Sequence, residues 1–357
     1  MAPRARADSG VMRGGSQPVE IVGAGLAGLS LGLALRRRDV PVTIFEAHDF
    51  PRHRVCGEFI AALDAPTVAR LGLAPLLTDA LLHREVVWYR RGRPMLTQRL
   101  PAPAYGISRY RLDARLAEDF VAAGGELRVN TRMSLDPEPD GRVFAAGRRP
   151  RSSRWFGLKV HARRLPLGGD LEVHLAEQAY VGLSSVEDAN VNICGLFARR
   201  PISPGGPGSP GLDLLLRYLK ATGLTDLARR LRAAEVDETS FCAVAGLSFD
   251  VEPNPTDRIS LGDQFAQTPP FTGNGMAMAL QSAALALDPL TNWSRGGLPW
   301  ADAVADVNRK LRRRFRLRLT SANLLHSYLL EPRRQRWLFL ASRVRLLPFR
   351  PLYRLTH

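Results

Sequence analysis

Three glycines in the string Gly23-Ala24-Gly25-Leu26-Ala27-Gly28 have the spacing G-x-G-x-x-G. In this pattern the first glycine permits a tight turn, the second lets the backbone approach a pyrophosphate, and the third lets the following helix pack closely. The helix N-terminus then offers free N–H groups and the positive end of a dipole. Gly23, Gly25 and Gly28 are therefore candidates for binding an adenine dinucleotide.

The elements that must position these glycines are present around them. An apolar run over 19–23 predicts a strand, 26–38 predicts a helix with small and apolar residues on one face, and 42–46 predicts a second strand. Glu46 ends that second strand, where a carboxylate accepts hydrogen bonds from ribose hydroxyls. The β-α-β unit supports the dinucleotide site and leaves NAD and FAD open.

A second glycine-rich turn lies late in the chain, in "LGDQFAQTPPFTGNGMAMALQSAALAL" over 261–287. Asp263 follows Gly262 at the end of an apolar strand, and the turn Gly273-Asn274-Gly275 opens a long helix at Met276. A second set of backbone N–H groups and a second carboxylate are thus expected to face a ligand.

This arrangement resembles the flavoprotein superfamily with the p-hydroxybenzoate hydroxylase fold. The resemblance extends over about residues 18–290 and implies FAD as cofactor and NAD(P)H as reductant. It implies that Gly262 and Asp263 hold the ribityl chain and that 269–276 lies against the pyrophosphate and the isoalloxazine edge. "SRYRLDARL" is similar to the family's R-x-x-L-D-x-x-L, which places Arg109 near the FAD.

The segment "FPRHRVCGEFI" (50–60) bears on the reaction. It resembles the loop P-x-x-K-x-C-G-G of geranylgeranyl reductases, with Arg54, Cys56 and Gly57 in matching places and Glu58 where that loop has glycine. A thiol beside arginines is expected to have a lowered pKa and to protonate a substrate. The alternative is a small buried residue lining the flavin loop. A halogenase is not indicated, since its Trp-x-Trp-x-Ile-Pro motif is absent.

The chain as a whole looks like bacterial FAD-dependent monooxygenases associated with polyketide phenols of secondary metabolism. This resemblance implies hydroxylation of a small lipophilic aromatic substrate through a flavin C4a-hydroperoxide. Two alternatives stay open: reduction of isoprenoid or enone C=C bonds, as in geranylgeranyl reductases, and a flavin-binding protein without catalysis. The sequence names neither the substrate nor the oligomeric state.

Catalytic residues are weakly indicated. His161 and His174 lie on predicted strands and are candidates to help a phenol lose its proton, since imidazole titrates near neutrality; alternatively they complete a polar sheet face. Cys56 is the third candidate. A lipophilic pocket over the sheet is expected, lined by residues such as Trp155, Phe156, Tyr180 and Phe271.

Composition narrows the remaining classes. The chain of 357 residues has 45% hydrophobic residues and a net charge of +16. No zinc-finger spacing or RNA-binding motif accompanies the charge, so nucleic-acid binding is not expected. Three scattered cysteines indicate neither disulfides nor a metal site, and they favour the cytoplasm.

The predicted fold class is α/β, a Rossmann-like FAD-binding fold with an interleaved antiparallel substrate-binding sheet and C-terminal helices. A hairpin is expected to turn at 91–93, period-two strands over 155–197, and helices at 211–235, 274–287 and 300–330. The expected divisions are a mobile tail (1–17), three FAD-binding parts (18–75, 101–150, 251–290), a substrate-domain hairpin (76–100), substrate-binding sheet and helices (151–250) and a basic helical segment (291–357).

The C-terminal segment carries much of the positive charge. Residues 301–357 include 14 Lys or Arg and three Asp or Glu, mixed with Leu, Phe, Trp and Tyr. Such a segment suits peripheral contact with a membrane surface, from which a lipophilic substrate could be taken. The alternative is a set of helices that closes the pocket with its arginines in solvent.

Overall fold

The computed structural model describes residues 16–90, 92–134, 139–148, 151–202, 210–249, 256–331, 334 and 349–356. The predicted mobile tail lies almost entirely outside these residues. Two sheets and eight helices organise the described chain. The α/β fold class predicted from the sequence is confirmed.

The first sheet is parallel and has five strands in the order β13-β7-β1-β2-β6. These strands are β1 (Val19–Val22), β2 (Val42–Phe45), β6 (Glu126–Arg128), β7 (Arg142–Phe144) and β13 (Ile259–Ser260). Helix α1 (Leu26–Arg36) connects β1 to β2, as the sequence predicted, and ten of its residues are buried. The strands β1 and β13 are far apart in the sequence but lie in the same parallel sheet, so their following loops lie at the same edge of the sheet.

The second sheet has eight strands in the order β12-β8-β11-β10-β9-β4-β5-β3 and is antiparallel except where β4 pairs with β9. Its strands are β3 (Phe59–Ile60), β4 (Leu81–Arg90), β5 (Arg93–Gly106), β8 (Trp155–Arg163), β9 (Leu171–Ala176), β10 (Ala179–Ser185), β11 (Val191–Ala198) and β12 (Glu235–Leu247). The predicted hairpin is confirmed, because Arg90 pairs with Arg93.

The remaining helices cover the two sheets. They are α2 (Ala65–Leu71), α3 (Arg109–Ala122), α4 (Pro210–Ala221), α5 (Thr225–Ala233), α6 (Gly275–Ser294), α7 (Trp300–Leu330) and α8 (Phe349–Thr356). The predicted helix over 300–330 is confirmed, whereas the helix predicted over 211–235 is two helices. The strand β12 that follows was not predicted, because its first half is polar and exposed and its register shifts between Asp237 and Cys242.

The eight-stranded sheet has two distinct faces. One face packs on α4 and α5 through residues such as Leu158, Val181 and Ile193, and we call it the helix face. The other face carries Val86, Val173 and Tyr180 and packs against Phe271, and we call it the cleft face. Register decides the face of each residue, since paired residues on neighbouring strands point the same way.

A buried ion cluster joins the helix face to α5. The carboxylate of Glu172 accepts hydrogen bonds from Arg230 (2.9 and 3.2 Å) and from the Gly168 N–H (2.7 Å), and it lies 2.8 Å from Nε2 of His174. Burial raises the pKa of Glu172, but the hydrogen bonds from His174 and Arg230 outweigh it and lower the pKa to about 2. The ionised carboxylate is therefore the form that stabilises the fold.

We expect Glu172→Gln to destabilise the protein in a pH-dependent way. A carboxyl with a lowered folded pKa contributes its full stability above its unfolded pKa of about 4.5 and loses it as the pH falls towards 2. The difference in unfolding free energy between wild type and variant, on the order of 3 kcal/mol at pH 7, should narrow at pH 3. Urea unfolding followed by circular dichroism measures it, with exposed Glu177→Gln as control. A difference equal at both pH values would contradict this account.

Candidate functional site

The first glycine turn is packed too tightly for side chains at two of its three glycines. Gly23 has φ +111°, and a Cβ there would lie 2.4 Å from the carbonyl oxygen of Ala145. A Cβ on Gly28 would lie 2.0 Å from the carbonyl oxygen of Gly23. These contacts bring the start of α1 onto the ends of β1 and β7.

Gly25 has open space in front of it. The nearest atom to a Cβ built there is Nη2 of Arg109, at 3.9 Å. Gly25 is the N-cap of α1 and, within the described part of the chain, no side chain caps that helix. The first-turn N–H groups therefore face a space that an anion can enter.

The second glycine turn lies against the first. Gly262 has φ +58°, and a Cβ there would lie 3.3 Å from Cβ of Ala27 in α1 and 3.5 Å from Cβ of Ala279 in α6. The Gly262 N–H donates to Oγ of Ser282 at 3.0 Å, which fixes the turn on α6. Two segments more than 230 residues apart in the sequence thus lie side by side, and we call the region between Gly25 and Asp263 the cofactor cleft.

Asp263 directly follows Gly262 in the second glycine turn, and it is exposed to solvent. Burial raises the pKa of Asp263, and the nearby charges of Arg109 and Arg148 oppose that rise. Arg148 donates to the Gly246 carbonyl at 3.2 Å. An exposed carboxylate inside a cleft is suited to accept hydrogen bonds from ligand hydroxyls.

Glu46 and Arg54 lie near the N-terminus of α1. Glu46 is 5% exposed and accepts a hydrogen bond from the Ala24 N–H at 3.1 Å. Nη2 of Arg54 is 3.6 Å from Glu46, and its Nε is 3.3 Å from Asp113. Among the described residues, neither nitrogen makes a hydrogen bond. Burial, then the charge of Arg109, lowers the pKa of Arg54, so an anionic group there would stabilise the guanidinium.

Arg109 begins α3 and is held by a bidentate pair. Its Nε and Nη2 donate to the two oxygens of Asp113 at 2.9 and 2.7 Å. Burial lowers the pKa of Arg109, but the Asp113 carboxylate more than compensates and raises it overall. Arg109 therefore remains a fixed cation beside Gly25.

The turn Gly273-Asn274-Gly275 closes the cleft on the side of the second sheet. A Cβ on Gly273 would lie 2.1 Å from the ring of Phe59, so the turn packs directly on β3. Asn274 is buried and donates to the Thr356 carbonyl, while its Oδ1 has no hydrogen-bond partner in the described chain. Gly275 begins α6, and Met276 is 4% exposed with its side chain in the core, so only its backbone can meet a ligand.

Cys56 is held in place by the cleft face of the sheet. Its carbonyl accepts from Nδ2 of Asn192 at 3.0 Å, and the next carbonyl, that of Gly57, accepts from Oγ of Ser184 at 2.7 Å. Burial raises the pKa of the Cys56 thiol, with Arg109 opposing. The expectation of a lowered pKa was wrong, because desolvation outweighs the nearby cation.

The two candidate histidines lie on opposite faces of the same sheet. His161 is on the cleft face, since it pairs with Asn192, and its Nε2 is 2.5 Å from Oε2 of Glu58. His174 pairs with Val181 on the helix face and belongs to the Glu172 cluster. The structure therefore brings His161, but not His174, to the side of the cofactor cleft.

An apolar cavity of about 180 Å³ lies on the cleft face beside Gly57 and Phe271. Most of its wall is hydrophobic, and the lining includes Phe59, Trp88, Val173, Leu175, Tyr180 and Leu325. Phe156 was expected in this wall and is not, because it packs on the helix face against Phe197 and Tyr218. Tyr353 and Thr356 of α8 also line the cavity, so the C-terminal helices form part of its wall.

His326 of α7 was not identified from the sequence. It is 7% exposed, and the rings of Trp155, Tyr180, Phe249 and Phe271 surround it at centroid distances of 4.6 to 6.4 Å. Burial lowers its pKa to about 4, so it is neutral at pH 7. No local motif marks His326, because only tertiary packing brings it to the aromatic residues.

Comparisons with known proteins agree with this geometry. The family model described as "NAD(P)-binding Rossmann-like domain" matches residues 21–55. The menaquinone reductase of Mycolicibacterium smegmatis is 26% identical over 132 residues, which cover 36% of this chain and 32% of that protein. The match thus spans about a third of the length of that curated relative.

Solved structures cover nearly the whole chain. HpxO of Klebsiella pneumoniae, complexed with FAD and uric acid, has a TM-score of 0.72 at 16% identity, covering 92% of this chain and 94% of that one. FqzB has a TM-score of 0.71 at 15% identity (90% and 86%). PqsL of Pseudomonas aeruginosa, described as "a probable FAD-dependent monooxygenase", has a TM-score of 0.66 at 17% identity, covering 91% of this chain and 100% of that one. The chain has the fold of these proteins.

We expect alanine at Gly28 to destabilise the protein strongly and alanine at Gly25 to leave its stability nearly unchanged. Gly28→Ala forces a methyl group onto the Gly23 carbonyl and should lower the unfolding temperature strongly, as overpacking against backbone does. Gly25→Ala enters open space, and alanine tolerates the extended φ of −91°, so its unfolding temperature should stay close to wild type. Differential scanning calorimetry compares them; equal losses would show that the cleft at Gly25 is closed.

Proposed function

We propose that this protein binds FAD in the cofactor cleft and is an FAD-dependent monooxygenase. The observation that carries the proposal is the close approach of Gly262 to Ala27, because it brings together the two glycine turns that carry Glu46 and Asp263 beside them. FAD, once reduced by NAD(P)H, supplies the chemistry for oxygen activation or hydride transfer. The chain's residues bind and orient the cofactor and exclude water.

Each candidate residue fits a part of FAD. The uncapped N-terminus of α1 suits the pyrophosphate, and Glu46 suits the hydroxyls of the adenosine ribose. Asp263 suits the ribityl hydroxyls, as the resemblance implies. The two nitrogens of Arg54 that make no hydrogen bond within the described chain, and the fixed cation of Arg109, suit the negative charge of the phosphates.

The substrate we propose is a small lipophilic aromatic compound such as a polyketide phenol. The cavity beside Gly57 and Phe271 is apolar, and both residues belong to segments that border the cofactor cleft. Its hydrophobic wall would exclude water from the reacting atoms. His161 is the one candidate base on this side of the sheet, and neutral His326 lies among rings that include Tyr180 and Phe271 of the cavity wall.

A second candidate function is the reduction of a C=C bond. Two observations favour it: the partial match to a menaquinone reductase and the position of Cys56. Because burial raises the pKa of Cys56, the thiol keeps its proton at pH 7 and can donate that proton to a substrate carbon after hydride transfer. A non-catalytic flavin-binding protein is the remaining alternative.

The reaction is tested with the purified protein after loading with FAD. The bound flavin is reduced anaerobically by NADPH or NADH, and air is then admitted with a long-chain alkylphenol or with menaquinone. We expect a product heavier by one oxygen atom from the phenol. A menaquinone product that stays heavier by two hydrogens after its quinone ring has been reoxidised, and that is lost in Cys56→Ala, would instead establish the second function. A flavin that neither nucleotide reduces would establish the non-catalytic alternative.

Gly25→Ala tests FAD binding separately from protein stability. Its methyl group occupies the space that we assign to the pyrophosphate while leaving the fold intact. The purified variant should therefore contain about tenfold less flavin than wild type, consistent with the loss of one to two strong hydrogen bonds. Wild-type protein that takes up no FAD would refute the proposed function.

We also propose a cytoplasmic protein that contacts the membrane through α7. Among the described helices, none is long and apolar enough to cross a membrane. Leu317, Leu324 and Tyr328 of α7 are 63%, 63% and 39% exposed, and their spacing of seven and four residues places them on one side of the helix. Arg313 and Arg316 are exposed beside them. Apolar side chains flanked by arginines fit an anionic lipid surface.

We expect sedimentation with vesicles of phosphatidylglycerol at low salt. The double variant Leu317→Ser/Leu324→Ser should lower the bound fraction, because it removes apolar side chains that would enter the lipid. Arg232→Gln, at an exposed position of α5, is the matched control and should bind like wild type. Wild-type protein that stays in the supernatant would overturn the membrane proposal.

A further inference from the structure

Glu58 is a buried carboxylate that the proposed chemistry leaves without a role. Its side chain is 0% exposed, and its φ of +54° lies in the left-handed region that favours glycine. The loop that 50–60 resembles has glycine at this place. A buried charged residue in a strained backbone conformation is stable only when contacts with the surrounding residues offset the strain.

The carboxylate of Glu58 contacts two different elements. Oε2 lies 2.5 Å from Nε2 of His161, and Oε1 lies 3.4 Å from Nζ of Lys159, both on β8. Oε1 also accepts a hydrogen bond from the backbone N–H of Arg109, the first residue of α3, at 3.2 Å. We call Glu58, Lys159 and His161 the anchor cluster.

In the anchor cluster the carboxylate of Glu58 faces the ammonium group of Lys159 and the imidazole of His161. Burial raises the pKa of Glu58, but the hydrogen bond from His161 and the charge of Lys159 outweigh it, so the pKa is lowered. Nζ of Lys159 lies 3.1 Å from Nδ1 of His53, whose pKa burial lowers to about 4. A neutral imidazole accepts a hydrogen bond from the ammonium group. The nearby carboxylate of Asp237 also faces His53 and His161.

The backbone of Glu58 borders the cofactor cleft. Its N–H donates to Sγ of Cys56 at 3.5 Å, and its carbonyl accepts from the Ile107 N–H at 3.2 Å. The guanidinium of Arg109, whose N–H the carboxylate binds, lies in front of Gly25. Glu58 thus joins the cysteine loop, the start of α3 and the second sheet.

We propose that Glu58 is a positioning residue for the cofactor. Its carboxylate fixes the positions of Cys56 and Arg109 relative to the cleft face of the sheet. The cofactor is thereby held at a fixed position relative to the apolar cavity. This proposal rests on the proposed function for the identity of the cofactor. The effect of Glu58 on the backbone at Arg109 does not depend on which cofactor is bound.

The protein contains a matched control on the other face of the same sheet. Glu172 is also buried and pairs with a histidine and a cation, but its cluster faces α5. Glu58→Gln and Glu172→Gln are therefore compared as full-length protein. Glu58→Gly is the second variant at the position, since glycine adopts a positive φ without strain.

Two measurements decide the proposal. Hydrogen exchange of the protein without added FAD should be about tenfold faster at the Arg109 amide in Glu58→Gln, since the acceptor of its hydrogen bond loses its charge. The exchange rate at Arg109 in Glu172→Gln should stay within about twofold of wild type. The FAD dissociation constant, measured by fluorescence quenching, should be about tenfold higher than wild type in both Glu58 variants. In Glu172→Gln it should stay within about twofold of wild type.

Equal changes in the Glu58 and Glu172 variants would overturn the proposal, because they would show only a general loss of stability. Unchanged exchange at Arg109 in Glu58→Gln would overturn it as well. If wild-type protein binds no FAD, the proposed function fails, and the exchange measurement still decides whether Glu58 positions Arg109.

Discussion

Close backbone packing at the N-terminus of α1 is the constraint on which the remaining structure depends. Gly28 allows α1 to lie on the Gly23 carbonyl, and Gly262 allows the turn before α6 to lie on Ala27. A side chain at Gly28 would separate the helix from the parallel sheet. These contacts bring the N-terminus of α1, which no described side chain caps, close to the turn that carries Asp263.

The second sheet serves two purposes with its two faces. Its helix face packs on α4 and α5 in a hydrophobic core, and the Glu172 cluster links the sheet to α5 beside that core. Its cleft face holds the loop at Cys56 through Ser184 and Asn192 and provides the apolar wall of the cavity. The same strand sequence thus contributes to stability on one side and to ligand recognition on the other.

The sequence predicted the elements better than the orientation of their side chains. The β1-α1-β2 unit follows from apolar periodicity and glycine spacing, and the hairpin at 91–93 follows from turn chemistry. The faces of β8 and β9 could not be predicted, since β9 is buried on both faces and the period-two pattern does not reveal which face meets the cleft. For this reason the sequence could not tell which of His161 and His174 lies on the cleft face.

Electrostatic details were also beyond the sequence. The direction of the Cys56 pKa depends on how far desolvation exceeds the effect of Arg109, and only tertiary structure determines that balance. Glu58 was visible as a departure from a resembling motif, but its partners Lys159 and His161 lie about 100 residues further along the chain. His326 had no local signal at all.

The most direct test of the central claim is a crystal structure of the protein grown with FAD. The account predicts one FAD in an extended conformation, with its pyrophosphate at the N-terminus of α1 near Gly25, its ribityl chain at Asp263, and its ring beside Cys56 and the apolar cavity. FAD bound away from the space between Gly25 and Asp263, or a cleft that closes without admitting it, would contradict the account.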